Sequence, residues 1–453
     1  MSKSVELFEK GSVWNSIAKM SIPAVITMIV MLVYNMADTY FVGKTGDPLQ
    51  LAAISLASPV YMIMMAVGTL VGGGGCAAAA GAIGKKDIEN VKAICSACTV
   101  IVIVASLITG GAILIFADPI LSVIGADQST WDYTKSYMCV LALGMIFIVF
   151  SNSFSNIIRA EGAAKESMIG NGIGTLINIV LDPIFILVLN MGVMGAAIAT
   201  VIGNIAASIY YLVYMNREQT YLCVNPVYLK GNGKEIFTVL SLGIPNAISN
   251  LFSGIVNTIT NHLLMVYGAA TIAAVGVGGK AGMIVAMIVM GICMGSSPII
   301  AYNYAAGNRK RTKDVLMKLS ILTVIIGTLL TVCCYIKSSA LAALFLEDEA
   351  LVQQSSHIMK IQLLMMPVVG IYYVGINFLQ SARKAKWAAI LSAFRQFICY
   401  IPAVYLLHGI FGLSGIYWVN VLCDGLAVIL SLILTCRMYR QWRRQCQGQL
   451  IIS

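Results

Sequence analysis

Residues 91–117 read VKAICSACTVIVIVASLITGGAILIFA, and beyond Lys92 this stretch contains no charged side chain. A helix needs about 20 mostly apolar residues to cross the hydrocarbon core of a bilayer, so this segment reads as a membrane span. Comparable runs recur along the whole chain, at 14–43, 49–83, 131–158, 165–190, 193–215, 235–266, 270–305, 312–337, 352–381, 386–408 and 412–436. The second and eighth of the twelve are long enough that they must tilt, kink or protrude into water. Composition agrees: 59% of the residues are hydrophobic and 11% charged, where a soluble domain carries roughly a quarter charged residues. The expected fold class is all-α integral membrane, with twelve transmembrane helices.

The net charge of +10 is a membrane signature rather than a nucleic-acid one, because of where the charges fall. An even number of spans puts both termini on one side, and that side holds 23 of the 29 Lys and Arg. The opposite loops hold Lys44, Lys135 and Lys337 beside Asp47, Asp118, Asp127, Asp132, Glu347, Asp348 and Glu349. This is the positive-inside pattern, so both termini are expected in the cytoplasm of a multi-pass plasma (inner) membrane protein. No cleavable signal peptide is expected, since the first apolar run is long enough to stay as a span. The 12 cysteines are scattered through the spans as small apolar residues, and Cys95 with Cys98 forms a C-x-x-C that has no second pair and no nearby His. His262, His357 and His408 are the only histidines, too far apart for H-E-x-x-H chemistry. The expectation is no cofactor and no enzyme.

The chain repeats itself. Ile22-Pro23-Ala24 matches Ile244-Pro245-Asn246 at 222 residues, Asn156 and Lys165 match Asn377 and Lys386 at 221, and Gly192-Val193-Met194-Gly195 matches Gly412-Leu413-Ser414-Gly415 at 220. The halves are an N-lobe over 1–215 and a C-lobe over 235–440, joined by a cytoplasmic linker at 216–234 and followed by a cytoplasmic tail at 441–453. Six spans per half means that both enter the membrane in the same sense, as parallel repeats that let a carrier rock about a central site.

Charged groups inside the membrane need a reason, since one at mid-bilayer costs about 2.5–3.5 kcal/mol even on the lenient insertion scale. At 1.5 Å per residue, Asp38 lies roughly 8 Å below the outer end of span 1, Asp182 about 12 Å below that of span 5, and Thr200 about 10 Å below that of span 6. Asn178 and Asp182 are four apart and share a helix face, and Pro183 loosens the helix beside the carboxylate. Asp38, Asn178, Asp182 and Thr200 therefore read as one cation site, for a proton or for Na⁺, against the bland reading of a satisfied hydrogen-bond network. The second-half counterparts of the two acids fall near Thr260 and Ile401, with no carboxylate nearby. A packing need would recur in both halves, so acids confined to one suggest a task.

In the second half Lys280 sits about 15 Å into span 8, where it either lines a cavity or pairs with a carbonyl. Arg395 and Asp424, at similar depth on consecutive spans, read as a structural ion pair. Tyr34, Met31, Met287 and Met290 are cavity candidates beside Lys280, because flexible methionines suit varied cargo. The run Gly72-Gly73-Gly74-Gly75 lacks the G-K-[ST] of a phosphate loop and marks close helix approach or a bend.

Three stretches resemble the multidrug and toxic compound extrusion (MATE) family: Asn156-Ile-Ile-Arg159-Ala-Glu161-Gly162, Asn178-Ile-Val-Leu-Asp182-Pro183 and Gly192-Val-Met-Gly195-Ala-Ala-Ile-Ala-Thr200. Asp38-Thr39 with Gly43, Leu379-Gln380-Ser381 and Arg395-Gln396 before Pro402 extend the likeness along the chain. The resemblance implies a V-shaped pair of six-helix lobes, a monomer, exporting organic cations and drugs in exchange for H⁺ or Na⁺. The NorM branch carries carboxylates in spans 7 and 10; here span 7 offers Asn250, Asn257, Asn261 and His262, and span 10 has no acid. The acids confined to the first lobe resemble the DinF-like branch, for which proton coupling is inferred. Two rivals stand beside antiport. A lipid-linked oligosaccharide flippase of the same superfamily would share the fold but needs a strongly cationic cavity, and a membrane-embedded enzyme would need a nucleophile and base at one depth.

Overall fold

The computed structural model describes residues 8–9, 11–45, 47–217, 220–228, 233–346 and 348–452, without the side chains of 35–40, 43, 48, 51, 226, 269–270, 273, 443 and 445–452. All regular structure among them is helical. The spans are α1 (Val13–Gly43), α2 (Pro48–Gly84), α3 (Ile88–Ile115), α4 (Trp131–Leu143 with Met145–Ile158), α5 (Ala164–Pro183, then Ile184–Val188) and α6 (Gly192–Met215) in the first half. The second half contains α7 (Lys234–Met265), α8 (Ala269–Ala305), α9 (Arg309–Ile336), α10 (Glu349–Gln362 with Met366–Ser381), α11 (Ala385–Ala393, Phe394–Ile398 and Tyr400–Phe411) and α12 (Leu413–Ile452). Eleven are long and apolar enough to cross a membrane singly, and the two parts of α4, bent by 58°, make the twelfth when read as one span.

Repetition extends to the helix ends. Asp87 caps α3 by accepting from Asn90 N–H at 3.1 Å, and Asn308, 221 residues later, caps α9 by accepting from Arg311 N–H at 3.1 Å; each satisfies a backbone donor that has no partner inside the helix. Gly192 and Gly412 both take positive φ, 54° and 58°, the first at the start of α6 and the second just before α12. On the loop before α4, hydrogen bonds from Ser129 and then Thr130 hold the Asp127 carboxyl down at about 2.

Two compact units result, Ile22–Asn250 in one and Gly11–Ser21 with Leu251–Ser453 in the other. Within the first, the glycine run of α2 is a contact surface rather than a loop. A Cβ on Gly74 would lie 2.0 Å from the Val239 carbonyl oxygen of α7, one on Gly75 2.7 Å from Cys98 Sγ of α3, and one on Gly72 3.0 Å from the Asn156 amide of α4. Small residues let helix backbones approach where no hydrophobic driving force acts between helices in lipid. Gly74→Ala is therefore expected to lower the melting temperature in detergent, since overpacking costs about 1–3 kcal/mol. Gly111→Ala in α3, where nothing lies within 4 Å, is expected to be neutral or to gain up to about 1 kcal/mol. Equal melting of Gly74→Ala and wild type would refute the contact.

The bend in α4 has its own cause. A Cβ on Gly144 would fall 2.3 Å from Val201 Cγ2 of α6, so only glycine admits α6 at that level, and the helix restarts there.

Candidate functional site

Asp182 ends the regular part of α5. Pro183 has no N–H to donate to the Ile179 carbonyl, and the chain widens at once into a π turn over Ile184–Val188, closed by Leu189 N–H to the Ile184 oxygen at 2.8 Å. Turns of this kind inside helices are frequent at functional sites. Asp182 is 0% exposed, and Asn178, one turn earlier, and Thr200 of α6 are also buried.

Of the two orientations of the Asn178 amide, one has Nδ2 donating to Thr200 Oγ1 at 3.3 Å but leaves the amide oxygen facing only acceptors. In the other, Nδ2 donates to Asp182 Oδ2 at 3.0 Å and Oδ1 accepts from Thr200 N–H at 3.0 Å. The second satisfies both ends and is the one assigned, as hydrogen bonding must decide between amide orientations. Tyr34 of α1 completes the group, its hydroxyl 3.2 Å from Thr200 Oγ1. Asp38 belongs to α1, and its side chain lies outside the described residues.

A polar cavity of about 110 Å³ opens beside this group, lined by Met31 and Tyr34 of α1, Ser151 of α4, Asn171 of α5 and Thr200 and Asn204 of α6, among others. Ser151 Oγ donates to Asn204 Oδ1 at 2.5 Å, and Asn204 Nδ2 donates to the Thr200 carbonyl at 2.8 Å. Sequence reasoning did not single out Ser151, Asn171 and Asn204. The signal was present, since Asn171 stands seven residues before Asn178, and Asn204 four after Thr200, both helical spacings that keep one face.

The motif at 156–162 forms a second buried polar cluster in the same unit. Arg159 donates to Asn156 Oδ1, and Glu161, 1% exposed, accepts from the Tyr214 hydroxyl, from Thr220 Oγ1 at 3.0 Å and from Tyr221 N–H at 3.1 Å. Glu161 thereby fixes the segment after α6 to the start of α5. The motif's acid is accounted for by this anchoring.

In the second unit the expected ion pair is present. Arg395 Nε donates to Asp424 Oδ1 at 2.6 Å, and the guanidinium lies 5.0 Å from the Tyr372 ring centre. Arg395 sits in a π turn, Phe394–Ile398. Lys280 is exposed, with Nζ 5.0 Å from the centre of the Phe345 ring, a cation–π contact. Met287 and Met290 are half-buried in α8. Neither they nor Lys280 line the polar cavity or the apolar one of about 620 Å³ between α11 and α12. Among the described residues no group of three or more His, Cys, Asp or Glu could hold a metal ion, and Cys95 and Cys98 are buried free thiols.

The family model described as MatE matches this chain twice, at residues 23–184 and 245–406. The multidrug export protein MepA of Staphylococcus aureus strain NCTC 8325 is 30% identical over 430 residues, 94% of each chain. That of Staphylococcus saprophyticus is 28% identical over 431 residues with the same coverage. Among solved structures, a MATE protein in complex with MaL6 superposes with a TM-score of 0.93 at 22% identity, covering 98% of this chain and 100% of that one. The outward-facing conformation of a multidrug resistance MATE family transporter of the MOP superfamily gives 0.92 at 23% identity, covering 98% and 99%. At these identities the structural likeness speaks for the fold alone.

Proposed function

This chain belongs to the MatE family of membrane transporters, and on that premise we propose that it is a secondary antiporter that exports organic cations and drugs in exchange for protons, with both termini in the cytoplasm. The observation that carries the reading is Asp182, a fully buried carboxylate at a helix break inside a lipid-spanning bundle. An ionised carboxylate there is costly unless something neutralises it, so its occupancy by a cation and the state of the surrounding helices are linked. A proton arriving from outside neutralises the site, the break at Pro183 gives α5 freedom to rearrange, and bound cationic cargo is released outward. Return of the empty carrier delivers the proton inward.

The choice of proton over Na⁺ rests on the donor set. Na⁺ needs several oxygens turned inward on one point, and the second half adds none of the acids of the NorM branch, since span 10 has no acid and span 7 offers Asn250, Asn257, Asn261 and His262 in their place. Thr200 and Tyr34 offer hydroxyls to each other. A single buried carboxylate is enough for a proton, which needs no cage of oxygens. Exchange of one proton for one singly charged cargo moves no net charge, so the proton concentration gradient drives it, and each pH unit supplies about the 1.4 kcal/mol that a tenfold cargo gradient requires. The test is ethidium efflux from proteoliposomes under an imposed proton gradient, repeated with a Na⁺ gradient at fixed pH and the proton gradient collapsed. Uphill efflux is expected in the first arm only; sustained uphill efflux in the second would mean that Na⁺ suffices.

A further inference from the structure

We propose that the first unit contains a hydrated route by which the coupling proton leaves Asp182 for the cytoplasmic end of α5, built on Asn178, Asn204, Ser151, Asn171, Ser155 and Ser167. The inference rests on the reading of Asp182 as the coupling carboxylate, and adds where the proton goes next.

The route is a stripe. Ser167, Asn171, Gly174, Asn178 and Asp182 follow one another along α5 at helical spacing, so they share one face. At 1.5 Å per residue they cover about 22 Å, most of the hydrocarbon thickness. Asn178 Nδ2 donates to Asp182 Oδ2 and so holds the carboxyl without accepting its proton; the acceptor is water of the polar cavity of about 110 Å³, which Asn178 lines and which extends past Asn204 and Ser151 to Asn171. A void of about 10–15 Å³ accommodates a single water, so this one has room for several, each within reach of amide and hydroxyl partners. Beyond it Asn171 Nδ2 donates to Ser155 Oγ, Ser155 and Ser167 hydroxyls lie 2.9 Å apart, and Tyr211 donates to the Ser167 carbonyl at 2.9 Å. Ser167 stands in the first turn of α5. Next to it Glu166 lies 3.8 Å from Arg217, both side chains partly exposed, a charged acceptor at the water-facing end. The titratable and charged groups facing the route are Tyr34 and Tyr61 at the cavity, Tyr211 beside Ser167 with the buried Arg159 near it, and Glu166 at its end with Arg217 and the Tyr210 hydroxyl that donates to it.

Packing alone does not account for the stripe, because the repeat does not preserve it. α5 begins at Ala164 and α11 at Ala385, so the counterparts of Ser167, Asn171, Gly174, Asn178 and Asp182 are Ala388, Ser392, Arg395, Cys399 and Ala403. Asn204 has Asp424 as its counterpart, 220 residues on. Where the first unit has a cavity, the second has the Arg395 guanidinium held by Asp424 at 2.6 Å. One lobe is open along this line and the other is plugged by its own cation.

The test is Asn171→Leu, which replaces a water-binding amide by hydrocarbon of similar size. Proton-driven ethidium efflux from proteoliposomes is expected to slow about tenfold or more, while the pH midpoint of equilibrium ethidium binding in detergent stays where it is, since a route sets rates and not equilibria. Asn171→Ser, which returns room for water, is expected to recover most of the lost rate, and Ser392→Val at the second-unit counterpart is expected to stay within about twofold of wild type. Wild-type efflux by Asn171→Leu overturns the route. So does a loss that Asn171→Ser fails to recover and that comes with a shifted binding midpoint, which is the mark of a structural residue. Binding that keeps its pH dependence in Asp182→Asn points elsewhere: it removes the coupling carboxylate itself, and the route falls with it.

Discussion

Asp182→Asn is expected to give an inserted, folded protein whose proton-driven efflux falls by about tenfold or more and whose substrate binding no longer responds to pH. The amide keeps the shape of the carboxylate, and its oxygen can still accept the 3.0 Å hydrogen bond from Asn178, so neither the helix break nor the contact with α6 is lost. What disappears is titration. A buried neutral amide also removes the energetic penalty on the empty state, so the variant should still exchange cargo down a gradient while failing to move it uphill. Efflux of ethidium from proteoliposomes, with downhill exchange measured on the same vesicles, separates these two properties. An unchanged pH dependence in this variant would leave Asp182 as a helix-packing residue.

The spans were legible in the sequence because lipid allows few alternatives: an apolar run of this length has to satisfy its backbone internally. Their refinements were not. α4 breaks at Gly144, where Val201 of α6 comes within 2.3 Å of where a side chain would start, and that approach depends on how α4 and α6 are rotated, which neither segment records. The π turn after Asp182 was foreshadowed by Pro183. The one over Phe394–Ile398 ends four residues before Pro402, which cannot donate to the Ile398 carbonyl, a signal of the same kind that the sequence reading did not use.

The site was partly legible for a related reason. Asn178 and Asp182 share a face by spacing alone, and equal depth brought Thr200 to their level, as the 3.0 Å contacts show. Ser151, Asn171 and Asn204 passed unnoticed, since a single Ser or Asn in a span is common and satisfied locally; the cavity that gives them significance exists only once five helices are assembled. Lys280 shows what depth alone leaves open. Its place in span 8 fitted either a cavity or a carbonyl partner, and the contact with the Phe345 ring at 5.0 Å is one that spacing along the chain does not record.

Arg395→Ala is expected to reduce folded yield and melting temperature sharply while leaving ion coupling intact in the protein that does fold. Asp424 is 4% exposed, and removing its partner leaves an uncompensated buried charge, at a cost of about 3–5 kcal/mol. The contact with the Tyr372 ring at 5.0 Å and the bond to the Tyr373 hydroxyl at 3.5 Å are lost as well. The cost belongs to the orphaned carboxylate, so a second change that neutralises it, Asp424→Asn in the same chain, is expected to restore most of the yield even though no ion pair returns. Size-exclusion profiles and thermal melting in detergent read the first property, and efflux from proteoliposomes normalised to inserted protein reads the second. A fully stable Arg395→Ala with altered transport would assign the pair to gating. The expected pattern assigns it to holding α11 against α12, with a tethered guanidinium filling in the second unit the place that the first keeps open.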